Sequence, residues 1–266
     1  MAALSSFARA ASHGMGRVVA RRIGNRTVLA EARASSPLRF VAPTFGASAA
    51  ALCLVTFGGG LVDGDRLDVE LVVEKDATLV VFTQSSTKVF VGASSQSVKA
   101  HVEGTLVFLP DPVAAFAGAH YTQRIDVDLA GEGSLVLCDG FTSGRAAYGD
   151  RWAMRGLDLR TTVTRERRIL LRDALRLERA IPRRLDRFEA FTSLVALGPR
   201  AKPVVDDIAA PSTVEHDVIV ASGPVEGGGA IARIAATSPE RALETLRSRI
   251  RNLPEIEAVD PWVARH

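Results

Sequence analysis

The stretch Phe57-Gly58-Gly59-Gly60-Leu61-Val62-Asp63-Gly64-Asp65-Arg66-Leu67 decides the fold class through what it is not and what it runs into. A phosphate-cradling loop needs a Lys and a hydroxyl directly after its last glycine, at the start of a helix. Here Asp65 follows Gly64, and a carboxylate repels a phosphate. The dinucleotide fingerprint fails as well, since Asp63 stands where that motif requires a glycine and no helix pattern follows. Leu67, Val69 and Leu71 instead alternate with Asp68 and Glu70, the period-two pattern of a half-buried strand. Gly58, Gly59, Gly60 and Gly64 therefore shape a turn between strands, where positive φ is needed.

The same signal recurs downstream. Leu67–Val73, Thr78–Thr83, Lys88–Val91, Ser97–Val102, Leu106–Leu109, Gln123–Leu129 and Ser134–Cys138 each carry β-branched or aromatic residues and are divided by turn chemistry. Upstream, Arg17–Arg21 and Arg26–Arg33 read as two short strands around Ile23-Gly24-Asn25. The expected fold is mainly β: a multi-stranded antiparallel or wound sheet, sandwich-like or helix-like, with one or two helices. No repeat of fixed length is visible, so a regular solenoid is not invoked. The one strong helix spans residues 239–253, with Ser238 as its cap, Pro239 at its first position, and Leu243, Leu246, Ile250 and Leu253 on one face. That face is expected to pack on the protein's own sheet. Residues 202–229, acidic and rich in Pro and Gly, read as loops or a mobile insertion. Residues 1–15 read as a flexible tail, although their Arg, Ala and Ser content also resembles a transit peptide. Residues 16–266 read as one domain.

Composition limits the function classes. With 266 residues, 47% of them hydrophobic, the chain can bury a sizeable core. No apolar run of about 18 residues offers a membrane span. Cys53 and Cys138 read as small buried side chains in a reduced, cytoplasmic protein. The net charge of +3 is carried by the N-terminus: residues 1–30 hold five arginines and no acid, which leaves 28 basic and 30 acidic residues in the body. Residues 160–187 are locally basic, with ten arginines, but contain no aromatic residue to stack on bases. A solvated or partner-facing strand surface, not a nucleic-acid site, is the reading of this segment.

Enzymatic chemistry finds no foothold. His13, His101, His120, His216 and His266 stand apart from one another and from both cysteines, so no closed zinc site is spelled out. No Gly-x-Ser-x-Gly elbow is present. The chain is expected not to be an enzyme.

The glycine stretch, together with Thr83-Gln84-Ser85-Ser86-Thr87-Lys88-Val89-Phe90, resembles the signature of the urease accessory protein D family, also called H in some organisms. The resemblance continues through Leu109-Pro110-Asp111-Pro112-Val113, Phe116-Ala117-Gly118-Ala119, Cys138-Asp139-Gly140-Phe141-Thr142-Ser143-Gly144-Arg145, Arg151-Trp152 and Leu170-Leu171-Arg172-Asp173. It runs from about Arg17 to Glu178. Gly140 departs from it, because a bulkier aromatic is expected at that position.

The resemblance implies a non-enzymatic chaperone of nickel insertion in the cytoplasm. Its partners would be the urease structural subunits, accessory protein F and, through the complex, the GTPase accessory protein G, with no nucleic acid and no membrane. No tightly bound cofactor is implied; nickel(II) would be transient cargo, passing along an internal route. Oxygen ligands suit such a route, because imidazole and thiolate would trap the ion. Asp65 and Asp139 are the candidate nickel contacts, with Asp63, Thr83, Gln84 and Ser85 as further polar lining. Thr87, Lys88, Gly144 and Arg145 belong to the motif and to the organisation of its turns. An opposing reading has Asp65 capping the turn after Gly64 and Asp139 paired with Arg145. Trp152 and Tyr148 are expected in the core. The alternative function is a β-rich protein-interaction module unrelated to urease.

Overall fold

The structure is a computed structural model that describes residues 11–44 and 48–254. After the antiparallel pair β1 (His13–Ile23) and β2 (Arg26–Ala34), and the short β3 (Leu38–Val41), the chain winds. It passes through β4 (Ala50–Thr56), β5 (Arg66–Val73), β6 (Thr78–Thr83), the two-residue β7 (Lys88–Val89), β8 (Gly92–Val102) and β9 (Thr105–Leu109). The short β10 (Val113–Ala115), β11 (Ala119–Leu129), β12 (Ser134–Thr142) and β13 (Gly156–Arg165) follow. Strands β5, β8, β11 and β13 lie parallel in one sheet, and β4, β6, β9 and β12 lie parallel in a second. Each turn of the coil thus leaves one strand in each sheet.

Later elements complete both sheets. Strand β14 (Arg168–Leu177) closes one edge of the first sheet, whose order is β14-β13-β11-β8-β5-β1-β2. After the short helix α1 (Ile181–Leu185), β15 (Ala190–Leu197) pairs antiparallel with β12. Helix α2 (Lys202–Ile208), β16 (Thr213–Val214), β17 (Val218–Val225), β18 (Gly229–Ala236) and α3 (Pro239–Ile250) end the described chain.

At one end of the coil the connections are tight. Glu103 N donates to Val73 O at 2.9 Å, Thr105 N to Ala77 O at 2.8 Å, Ala130 N to Val102 O at 2.9 Å, and Ser134 N to Gly104 O at 2.8 Å. Each turn satisfies its backbone on the turn below it. A Cβ at Gly104 would sit 2.2 Å from Ala77 O, so this approach requires glycine. At the opposite end the connections are longer, residues 57–65, 84–91, 110–118 and 143–155, and they carry the family-like motifs. They also stack: Leu61 N donates to Lys88 O at 2.8 Å and Phe116 N to Val89 O at 2.9 Å.

Two apolar layers result. Leu71, Leu79, Val81, Leu106, Phe108, Ile125, Leu135 and Leu137 fill the space between the sheets. The alternate residues of the second sheet, including Val80, Phe82, Val107, Val136 and Cys138, meet Val204 and Ile208 of α2 and Leu246 and Ile250 of α3. The outer face of the first sheet is charged, with Glu70, Lys99 and Asp126 in register on adjacent strands.

The fold is mainly β, as the sequence implied, and α3 packs on its own sheet with Ser238 Oγ accepting from Arg241 N at 3.2 Å. Both cysteines are buried thiols outside any disulfide among the described residues. Exposed Arg160, Arg168, Arg172 and Arg176 place the basic segment on the β13–β14 surface. Two expectations need correction. Strand β1 begins at His13, inside the stretch read as a tail, because pairing with β5 satisfies its backbone; residues 1–10 lie outside the described residues. Residues 202–229 hold α2, β16 and β17, since Val204, Ile208, Val218 and Val220 bury against the second sheet. The winding is a coil despite the lack of a repeat, because the motif-bearing connections differ in length.

Leu79 is fully buried between the sheets. Leu79→Ala is expected to lower unfolding free energy by about 2–5 kcal/mol in urea titrations. Val214→Ala, at a side chain 76% exposed, is expected to change it by less than about 0.5 kcal/mol.

Candidate functional site

Strand β12 sets the site. Leu135, Leu137, Asp139 and Phe141 share its inter-sheet face, so Asp139 puts a carboxylate where the alternation calls for an apolar side chain. On β11 the inward row is Tyr121, Gln123, Ile125 and Val127, again with a polar residue in an apolar series. Gln123 lies in register with Gln96 of β8 and Leu159 of β13.

These side chains bond to one another. Gln123 Nε2 donates to Asp139 Oδ1 at 2.6 Å, Gly140 N donates to the same oxygen at 2.8 Å, and the Thr161 hydroxyl also bonds to the carboxylate. Tyr121 Oη donates to Gln123 Oε1 at 3.1 Å and lies 3.3 Å from Gln96 Oε1. Burial pushes the Asp139 carboxyl up to about 6, opposed by the Gln123 and Gly140 bonds and aided by the negative charge of Asp173. A side chain at Gly140 would place its Cβ 2.5 Å from Phe191 O, which explains why this position holds no aromatic residue.

Asp139 lines two cavities. The first, about 150 Å³, opens among the motif connections and is bounded by Thr83, Gln84, Ser85, Asp111, Gln96 and Gln123. Thr83 Oγ1 accepts from Asp111 N at 2.9 Å and lies 3.2 Å from Asp111 Oδ2, which fixes the rim. The second, about 450 Å³, is bounded mainly by apolar groups such as Leu159, Leu175, Phe141 and Phe191, with Thr161, Thr192, Ser193, Asp173 and Arg233 as its polar members besides Asp139. Arg233 Nη2 donates to Asp173 Oδ1 at 2.8 Å, bridging β18 to β14. Asp139 thus borders both a cavity at the motif loops and one on the β14–β18 side, each with some polar side chains in its lining.

The structure brings Asp139 together with Thr83, Gln84 and Ser85, and with Thr87 and Lys88, which also line the first cavity. It separates Asp63 and Asp65 from them. Asp65, 1% exposed, accepts from Ser12 N at 2.8 Å and Val62 N at 3.0 Å, and so ties the glycine turn to the start of β1. Asp63 Oδ1 accepts from Ala93 N at 2.7 Å. Neither lines a described cavity. Gly58, Gly59, Gly60 and Gly64 all have positive φ in that turn, in agreement with the sequence reading. Gly144 also has positive φ, beside Ala115 O. Arg145 is paired with Asp150, not Asp139, and its guanidinium lies over the Phe116 ring at 4.5 Å. Trp152 is buried against Phe141 and Phe191, whereas Tyr148, expected in the core, is 81% exposed because the turn after Arg145 projects it outward. Gln96, Tyr121, Gln123 and Thr161 were not singled out from sequence; polar residues inside an inward-facing apolar row were the available signal.

The profile of the UreD urease accessory protein family matches residues 12–261. The chain belongs to this family. A urease accessory protein UreD from Sorangium cellulosum is 42% identical over 97% of this chain and 86% of its own length. Another from Anaeromyxobacter is 32% identical, covering 94% of this chain and 88% of its own length. A urease accessory protein D from Arabidopsis thaliana is 28% identical over 93% of this chain and 99% of its own length. Among the described residues, no helix of this UreD-family chain is long and apolar enough to cross a membrane.

Asp139 ionises at about 4 in an unfolded chain and about 6 when folded, so the folded state holds the proton more tightly. The contribution of this group to stability is full below about pH 4, declines as pH rises to about 6, and is flat above. Asp139→Asn is expected to abolish that slope and to gain about 2–3 kcal/mol at pH 7, read by urea unfolding at stepped pH.

Proposed function

We propose that this chain is a non-enzymatic urease maturation factor of the cytoplasm that binds the apo-urease subunits and works with accessory proteins F and G. In this reading G, a GTPase, releases nickel(II), and a route between the two sheets, past Asp139, carries the ion toward urease. The observation that supports the reading is Asp139, a carboxylate shared by two cavities in a layer filled mainly by aliphatic and aromatic side chains. A carboxylate in that position costs stability, and buried titratable groups of this kind cluster at functional sites.

The donor set suits cargo rather than a resident metal. Among the described residues no group of three or more His, Cys, Asp or Glu side chains could hold an ion. Single carboxylate, hydroxyl and carboxamide oxygens bind nickel(II) weakly enough to let it move on. Cys138, next to Asp139, faces the opposite layer, where burial holds the thiol protonated and out of the route. Asp65 serves the reading differently: it holds the glycine turn in place and with it the first of the stacked connections.

The test is co-expression of the tagged chain with urease subunits and the accessory proteins, followed by pull-down and urease assay. Urease activity is expected to depend on the chain, and the chain to co-purify with urease and F. Asp139→Ala is expected to keep assembly but lower activation roughly tenfold or more, equivalent to at least about 1.4 kcal/mol. Asp65→Ala is expected to lower the yield of soluble chain instead. An association-free chain that leaves urease activity unchanged would favour the unrelated interaction module.

A further inference from the structure

The orientation of one amide decides what the first cavity presents beside Asp139. Gln123 offers an oxygen at one end of its carboxamide and an N–H pair at the other. The Tyr121 hydroxyl donates to the oxygen at 3.1 Å, and burial raises the phenol well above its ordinary value, so it stays a donor. The amide nitrogen is thereby turned toward Asp139, 2.6 Å from Oδ1. Gly140 N and the Thr161 hydroxyl take up further acceptor capacity of the same carboxylate. A cation in the first cavity, which Gln123 and Asp139 both line, finds Asp139 Oδ1 already engaged by the N–H groups, the positive end of the amide dipole.

Resting on the maturation reading above, we propose that Gln123 is a latch between the two cavities: locked by Tyr121, it keeps Asp139 from retaining a divalent cation. Once the amide turns, its own oxygen faces the ion beside the Asp139 carboxylate and the Thr161 hydroxyl, forming a transient all-oxygen site. When the amide returns, its N–H groups displace the ion into either cavity. Gln123 is a positioning residue in this scheme, and Gln96 Oε1, in register beside it and 3.3 Å from Tyr121 Oη, is the alternative acceptor to which that hydroxyl turns when the lock opens. The latch keeps the ion's residence at Asp139 short, which transfer requires.

The experiment measures nickel retention at pH 8 by equilibrium dialysis of the full chain in complex with accessory protein F, alongside the urease activation rate. Gln123→Leu removes the latch at similar size, and Tyr121→Phe removes only the lock. Gln123→Leu is expected to retain nickel at least tenfold more tightly than wild type and to activate urease more slowly, with Tyr121→Phe between the two. Adding Asp139→Asn to Gln123→Leu is expected to abolish the extra retention. A merely structural role would lower the yield of complex without raising nickel affinity, and that result overturns the proposal, as does retained nickel in the double variant. Should Gln123→Leu fail to assemble, Tyr121→Phe decides alone: unchanged nickel retention overturns the latch. If wild type fails to activate urease, the maturation reading falls, while the dialysis still decides the latch.

Discussion

The constraint on which the molecule depends is the stacking of its tight turns, where each connection hydrogen-bonds to the backbone of the one before it. The bonds from Thr105 to Ala77 and from Ser134 to Gly104 fix the rise of the coil and the register of both sheets. With one end of every strand fixed, the other ends are fixed too, and the longer connections at residues 57–65, 84–91, 110–118 and 143–155 must stack in turn. Residues as distant in sequence as Thr83, Asp111 and Asp139 come to border one cavity for this reason.

The inter-sheet layer is where stability and use diverge. Most of its residues are aliphatic and fully buried, as the hydrophobic effect demands of two apposed sheets. Gln96, Tyr121, Gln123, Asp139 and Thr161 break that pattern at one level of the coil. Their mutual hydrogen bonds limit the cost of burial without removing it, since the Asp139 proton is held well above the ordinary carboxylate range. On the outer face of the second sheet helices α2 and α3 seal a layer that is apolar apart from small hydroxyl residues such as Thr192. The buried carboxylate and carboxamides lie in the layer between the sheets.

Much of this was legible in the chain. The alternation after Leu67 announced strands, Asp65 after Gly64 excluded a phosphate loop, and Ser238-Pro239 marked the start of α3. The coil was not legible, because its period is set by backbone contacts between connections of unequal length and leaves no sequence repeat. Lys202–Gly229 misled because Pro and Gly at element ends read as loop signals while the intervening valines bury against a sheet formed much earlier in the chain. Of the site, Asp139 and the Thr83–Ser85 turn came from the motif resemblance. Gln123 and Tyr121 lie in no quoted motif, and their meaning emerges only when β11 is laid against β8 and β12. Asp63 and Asp65 stand in the glycine motif, yet their oxygens are engaged by backbone amides.

The central claim is that a divalent cation passes between the sheets at Asp139. The most direct measurement is nickel-edge anomalous diffraction from crystals of the chain with accessory protein F, soaked in nickel(II). The account predicts an anomalous peak beside the Asp139 carboxylate, reachable by Gln123 and Thr161, that disappears in the Asp139→Asn variant. Peaks confined to carboxylates and histidines on the outer surface, with the inter-sheet layer empty at saturating nickel, would contradict it.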